Sequence, residues 1–166
     1  MRCLFHEPPI TTEWTAWFDD DSYVLRGDWL QRLVIKTQAH PEMDAWGVRY
    51  LLFPDRDALE FAKTASWYRH LPWVIRRNEQ DIPSPCFEFP TGGFWVVRTR
   101  IVKALEWPDR RLRQAGDDFF FGEALRQNGY QVGSFGRCIA VSAAERRNAS
   151  AKEVVEIPAV REFEVH

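Results

Sequence analysis

The feature that most constrains the fold is an apolar run that ends in three consecutive carboxylates. Residues 14–18 read WTAWF and are followed at once by Asp19, Asp20 and Asp21. The run predicts a β-strand that carries the acids to its own end. Because alternate side chains of an extended backbone share a face, Asp19 and Asp21 are expected to point one way and Asp20 the other. Such oxygen ligands suit Mg²⁺ or Mn²⁺; solvated acids, or acids that cap a helix starting near Asp28, are the second interpretation.

Length and composition exclude several classes of protein. At 166 residues the chain fits one domain with its own core. A net charge of −2 supplies no general attraction to nucleic acid or to anionic membranes. No apolar stretch approaches the roughly 20 residues that cross a bilayer, so no transmembrane segment is expected. The three widely separated cysteines form no CxxC pattern, and we therefore expect a reducing, cytoplasmic location.

The hydrophobic periodicity predicts strands and helices that alternate along the chain, as in an α/β fold. Strands are predicted over residues 14–18, 45–53, 86–89, 94–97, 130–132 and 138–141. Helices are predicted after Asp28, over 57–67 and 100–105, and from Asp117 to a stop at Gly129. Residues 90–93 are predicted to form a turn.

Two further motifs follow the acid triplet along the chain. Gly92 and Gly93 form a glycine pair between two predicted strands, and Asp117 and Asp118 stand at the predicted start of a helix. Taken alone, the glycine pair is typical of a hairpin turn, and the acid pair is typical of a helix N-cap with a first-turn acid.

In their fixed order, these segments resemble the catalytic half of GT-A fold glycosyltransferases, in particular family 2 and the Fringe-like enzymes. The stretch FDDDSYV at 18–24 is similar to their DxD segment, FPTGGFW at 89–95 to their Gly-Gly segment, and GDDFFFG at 116–122 to their acidic-pair helix start. The resemblance covers most of the chain. It implies an α/β fold with a mixed central sheet flanked by helices, and a catalytic half over 1–142. The polar and charged segment over 143–166 is expected to form a C-terminal arm at the surface.

The resemblance also implies ligands for the donor and the acceptor. Asp19 and Asp21 are expected to hold Mn²⁺ or Mg²⁺ against the diphosphate of a nucleotide-sugar, with Asp20 near the ribose or the sugar. Gly92 and Gly93 are expected to border the sugar and the acceptor, where a missing side chain lets backbone approach a ligand closely.

The general base toward the acceptor hydroxyl is expected to be Asp118, with Asp117 as the second choice. Trp73 and Trp95 are expected to belong to a sugar-stacking wall, and core packing is an equal interpretation for Trp95. Arg146 is expected to bind the diphosphate, unless it belongs to a solvated arm.

The sequence departs from the family pattern in two places. Residues 139–143 hold no histidine to serve as a further metal ligand, so coordination is expected to rely on aspartate and water. Thirteen residues precede Trp14, where such enzymes place several nucleotide-binding βα units. We therefore expect a misplaced start, or a truncated or split chain whose nucleotide-binding half a partner chain supplies.

The sequence thus predicts a metal-dependent, inverting glycosyltransferase that moves a sugar from a nucleotide-diphosphate donor to a glycan or another hydroxyl acceptor. The alternative is a non-catalytic carbohydrate-binding or subunit-interaction module derived from such an enzyme. A third hypothesis, a metal-dependent phosphoryl-transfer or hydrolytic enzyme, leaves the Gly-Gly segment unexplained.

Overall fold

The computed structural model describes residues 10–19, 22–24, 26–52, 56–71, 87–112, 117–135, 140–142 and 154–156. The strands within these ranges are β1 (Trp14–Phe18), β2 (Ser22–Val24), β3 (Ala45–Leu52), β4 (Phe87–Arg98), β5 (Val132–Ser134), β6 (Ala140–Ser142) and β7 (Val154–Glu156). The helices are α1 (Trp29–Ala39), α2 (Arg56–Lys63), α3 (Thr99–Ala104) and α4 (Asp117–Gln127). In these parts of the chain, no helix is long and apolar enough to cross a bilayer.

The main sheet is mixed and has the strand order β1-β4-β3-β5, with β7 also paired to β3. Strand β4 is antiparallel to both β1 and β3, whereas β5 is parallel to β3. Strands β2 and β6 form a separate antiparallel ribbon. The coarse prediction of an α/β protein built on a mixed sheet with helices is confirmed. β7, which belongs to the predicted C-terminal arm, runs antiparallel along β3.

The sheet buries a different core on each face, because alternate residues of β4 point in opposite directions. Trp95 and Val97 join the larger core, to which α2, α3 and α4 contribute. Phe94 and Val96 join the smaller core together with Leu33 of α1. The sheet therefore lies between helices, and α4 covers the face on which Trp95 lies.

Helix α4 lies directly against the backbone of β4. A Cβ placed on Gly122 would meet the carbonyl oxygen of Glu88 at 2.2 Å and the Cα of Phe89 at 2.4 Å. Only glycine permits this approach. The contact fixes how far the N-terminus of α4 stands from the sheet.

The end of α4 agrees with the predicted stop at Gly129, whose φ is 77°. The Gly129 N–H donates to the carbonyl of Arg126, and the Tyr130 N–H donates to that of Leu125. These two bonds form a Schellman motif, which requires a left-handed residue at the position of Gly129.

Gly129→Ala is expected to lower the free energy of unfolding by about 1–2 kcal/mol, because a Cβ disfavours this left-handed backbone. Gly27→Ala is the matched control, since a Cβ at either glycine meets nothing within 4 Å and only Gly129 has a positive φ. The control is expected to leave stability unchanged or to raise it by up to about 1 kcal/mol. Urea unfolding of the two variants measures the difference, and equal stabilities would contradict this account.

The predicted turn over residues 90–93 is wrong, because β4 continues through them. Gly47 pairs with Trp95, but Arg49 pairs with Pro90, so β4 carries an extra stretch between these two pairings. Pro90, which has no N–H to donate, lies beside this irregularity and packs on Gly47. The glycine pair therefore marks a bulge within a strand.

Helix α2 is shorter than the predicted 57–67, since it ends at Lys63. Helix α1 begins after Asp28 as predicted, but its apolar side chains do not all face the core. Leu33 is buried, whereas Leu30, Val34 and Ile35 are 44–55% exposed. Their side chains leave an apolar, uncharged strip on the outer face of α1.

The inner face of α1 includes a buried lysine. Lys36 is 6% exposed, and its Nζ donates to the carbonyl of Ser134 at 3.4 Å. The same ammonium group lies 5.7 Å from the centre of the Trp46 ring, a cation–π distance. These contacts let a charged residue occupy a buried position on the inner face of α1.

Candidate functional site

Asp19 lies at the end of β1, directly opposite Gly93. Its N–H donates to the carbonyl of Gly93 at 3.2 Å, which continues the β1–β4 ladder beyond the pair of Phe18 and Phe94. The acidic segment and the Gly-Gly segment are therefore neighbours across two strands. This proximity arises from strand pairing rather than from adjacency in the sequence.

The Asp19 carboxylate is held by a side chain of its own strand. The indole Nε1–H of Trp17 donates to Asp19 Oδ1 at 2.9 Å. Residues two apart on a strand share a face, so this bond needs no distortion of β1.

Capping of the following helix by Asp19, one part of the second interpretation of the acid triplet, is not observed, and Asp20 and Asp21 lie outside the described ranges. The N-cap position of α1 belongs to Asp28, whose side chain makes no capping hydrogen bond. The Asp28 carboxylate instead accepts hydrogen bonds from Arg26 and Arg32, and these bonds hold its pKa well below the usual range.

Asp117 and Asp118 occupy the first turn of α4, as predicted. The Oδ1 atom of Asp118 accepts a hydrogen bond from the Phe119 N–H at 2.8 Å. First-turn acids of this kind stabilise a helix through its dipole. Both side chains are only half-buried, so the same position leaves them accessible from a cleft.

The early and the late acids meet in one cleft of about 420 Å³, part of which is open to solvent. Asp19 enters from β1, and Asp117 and Asp118 enter from α4. The described residues that line the cleft are Trp17, Asp19, Trp95, Trp107, Asp117, Asp118 and Phe121. These three carboxylates and four aromatic rings are the described lining of the cleft.

A row of aromatic rings connects the two acidic sides of the cleft. Trp17 stacks on Trp95 with 6.2 Å between ring centres, and Trp95 lies 4.9 Å from Phe121 of α4. Trp107 lies 5.1 Å from Phe121 on the far side. These contacts fix the position of β1, and hence of Asp19, relative to the start of α4.

Trp95 lines the cleft, but its side chain is only 3% exposed. Core packing therefore accounts for this residue, which was one of its two interpretations, and a sugar contact stays a prediction. Gly92 lies within β4 beside Gly93. Four predicted site residues lie outside the described ranges: Asp20, Asp21, Trp73 and Arg146.

Sequence reasoning missed three cleft residues, namely Trp17, Trp107 and Phe121. Trp17 had a usable signal, because it precedes Asp19 by two positions on a predicted strand and must share its face. Phe121 belongs to the buried face of α4 and also lines the cleft. Trp107 had no signal, since its place beside α4 depends on the tertiary fold.

The side chains that line the cleft fit a hard divalent cation, since carboxylate oxygens are its preferred ligands. In the ranges that the structure describes, no group of three or more His, Cys, Asp or Glu side chains is arranged to hold a metal ion. The predicted ligand Asp21 lies outside those ranges. Asp19 is thus the one predicted ligand whose position is defined.

A second cavity of about 710 Å³ lies near the C-terminal end of α4, and it contains none of the predicted site residues. Arg49 and Glu88 form an ion pair in its wall. Arg126, also in the wall, is paired with the buried Glu123. Because the smaller acidic cleft, unlike this cavity, brings predicted site residues together, it is the better candidate for ligand chemistry.

The chain was also compared with known proteins. It matches no protein-family model, and it matches no curated protein sequence. The resemblance to GT-A glycosyltransferases therefore stays a prediction that depends on the motifs and on the geometry of the cleft.

Proposed function

We propose that the protein is a metal-dependent glycosyltransferase with a GT-A-like sheet, located in the cytoplasm. It transfers a sugar from a nucleotide-diphosphate donor to a glycan or another hydroxyl acceptor, with inversion at the anomeric carbon.

One observation carries this proposal: acids from two distant parts of the chain line one cleft. Asp19 and the pair Asp117 and Asp118 face this space together, and Gly93 stands opposite Asp19. Sugar transfer needs acids on both sides of one cleft, because the diphosphate of the donor and the acceptor hydroxyl must reach the same sugar carbon.

The proposed reaction is a single displacement. The acceptor oxygen forms a bond to the anomeric carbon while the bond from that carbon to the diphosphate oxygen breaks. The carboxylate of Asp118 takes the proton of the acceptor hydroxyl, a general-base step that is worth roughly 10²- to 10⁴-fold in rate. Asp19 and Asp21 would hold Mn²⁺ or Mg²⁺, which offsets the negative charge on the leaving nucleoside diphosphate.

Calorimetry with nucleoside diphosphates tests the proposal. In the presence of Mn²⁺ the protein is expected to bind a nucleoside diphosphate, and Asp21→Ala is expected to abolish that binding. Asp57→Ala is the matched control, because Asp57 is an exposed acid in the first turn of α2, away from the cleft. Absence of nucleotide binding by the unaltered protein, with and without metal, would contradict the enzymatic proposal.

The alternative, a non-catalytic carbohydrate-binding or subunit-interaction module, is favoured by the exposed apolar strip of α1. Leu30, Val34 and Ile35 of that helix are exposed apolar side chains that a partner subunit would cover. If glycans bind to the protein while nucleotides do not, this alternative replaces the enzymatic function.

A further inference from the structure

We propose that Trp17 is a positioning residue for Asp19, whose indole N–H holds the carboxylate in the orientation that receives the divalent cation. The inference rests on the proposed function, since it takes Asp19 to be a cation ligand. It adds a residue that neither the acid triplet nor the resemblance assigns.

The first support is the hydrogen bond itself. The Trp17 Nε1–H to Asp19 Oδ1 distance is 2.9 Å, within the range of a well-formed bond. A carboxylate at a strand end can otherwise turn about two side-chain bonds. One oxygen fixed by the indole selects a single orientation, so less side-chain entropy remains to be lost when a cation binds.

The second support is the rigid position of the Trp17 indole, which donates this hydrogen bond. The Trp17 ring stacks on Trp95 at 6.2 Å with an interplanar angle of 19°, and these two residues also pair across β1 and β4. Trp95 is 3% exposed and lies against Phe121 of α4. The indole is therefore anchored in the core on one side and reaches the edge of the cleft on the other.

A metal ligand commonly depends on a hydrogen-bonding neighbour of this kind, and loss of such a neighbour lowers metal affinity by about 10- to 100-fold. Trp17→Phe keeps an aromatic ring and removes the N–H. We expect that variant to bind Mn²⁺ about 10- to 100-fold more weakly, as measured from the paramagnetic resonance signal of the free ion.

Trp14→Phe is the matched control for this titration. Trp14 belongs to the same strand but packs with the opposite core, and the guanidinium of Arg98 lies 4.5 Å from its ring centre. The control is expected to keep the Mn²⁺ affinity of the unaltered protein. If Trp17→Phe keeps it as well, the positioning role is overturned while the proposed function stands.

A measurement without metal keeps the inference testable even if Trp17→Phe fails to fold. In nitrogen-15-labelled protein, Asp19→Ala is expected to move the Trp17 indole N–H signal and to speed its exchange with water. The other indole signals are expected to stay in place. An unmoved Trp17 signal would overturn the inference, and failure of the unaltered protein to bind Mn²⁺ would overturn both the inference and the cation role in the proposed function.

Discussion

Asp118→Asn is expected to lower the rate of sugar transfer by about 10²- to 10⁴-fold and to leave nucleotide binding unchanged. Asparagine cannot take the proton of the acceptor hydroxyl. It does keep an oxygen that can accept the hydrogen bond from the Phe119 N–H, so the start of α4 is preserved. The rate of product formation and the affinity for the nucleoside diphosphate, measured on the same preparation, separate the two effects.

Two variants control this experiment. Asp57→Asn changes an exposed first-turn acid of α2 and is expected to retain full transfer.

Asp117→Asn tests the neighbouring acid of the same cleft. If Asp117→Asn loses transfer and Asp118→Asn does not, the base is Asp117. Full activity in both variants would show that neither acid takes the proton.

Much of the local structure could be predicted, because it depends on short-range patterns. The aromatic run of β1 gave the bounds 14–18, and Gly129 marked the end of α4. The prediction of a turn over residues 90–93 was wrong because strands distant in the sequence pair with this segment. Asp19 supplies a hydrogen bond to Gly93 from one side, and β3 continues to pair with the flanking segments from the other, so a glycine-rich stretch remains extended.

The local sequence pattern also could not predict which face of α1 packs on the sheet. Its apolar residues recur at helical spacing, which predicts a helix but does not say which of them face the sheet. Lys36 reaches the Ser134 carbonyl and the Trp46 ring and so takes an inner position. Leu30 and Val34 are consequently exposed.

The sequence predicted the acids of the candidate site, but not the tertiary contacts that hold them in place. The type and order of the motifs selected Asp19, Asp117 and Asp118, and these three line one cleft. The distance between the two acidic sides depends on tertiary contacts, chiefly Gly122 of α4 against the backbone of β4. No periodicity in the chain encodes that contact, since a glycine within a helix has several possible causes.

Glu123→Ala is expected to lower the free energy of unfolding by about 3 kcal/mol. Glu123 is fully buried. Its carboxylate accepts hydrogen bonds from Arg126 Nε at 2.9 Å and Nη2 at 2.7 Å, and from Gln127 Nε2 at 2.7 Å. Gln127 in turn bonds to the backbone N–H and carbonyl of Leu71. Removal of the carboxylate therefore takes the ion-pair partner from Arg126 and one of two acceptors from Gln127 Nε2, and it weakens the attachment of the chain at Leu71.

Glu60→Ala is the matched control, because Glu60 and Lys63 form an exposed pair with the same spacing as Glu123 and Arg126. Water already screens that pair, so no measurable change is expected. For a chain of this length the Glu123 variant is expected to melt about 6–12 °C lower than the unaltered protein. The double variant Glu123→Ala with Arg126→Ala is expected to lose less than the sum of its single changes, since the orphaned guanidinium is then absent. Additive losses, or equal melting temperatures for the Glu123 and Glu60 variants, would show that the buried pair does not hold α4 in place.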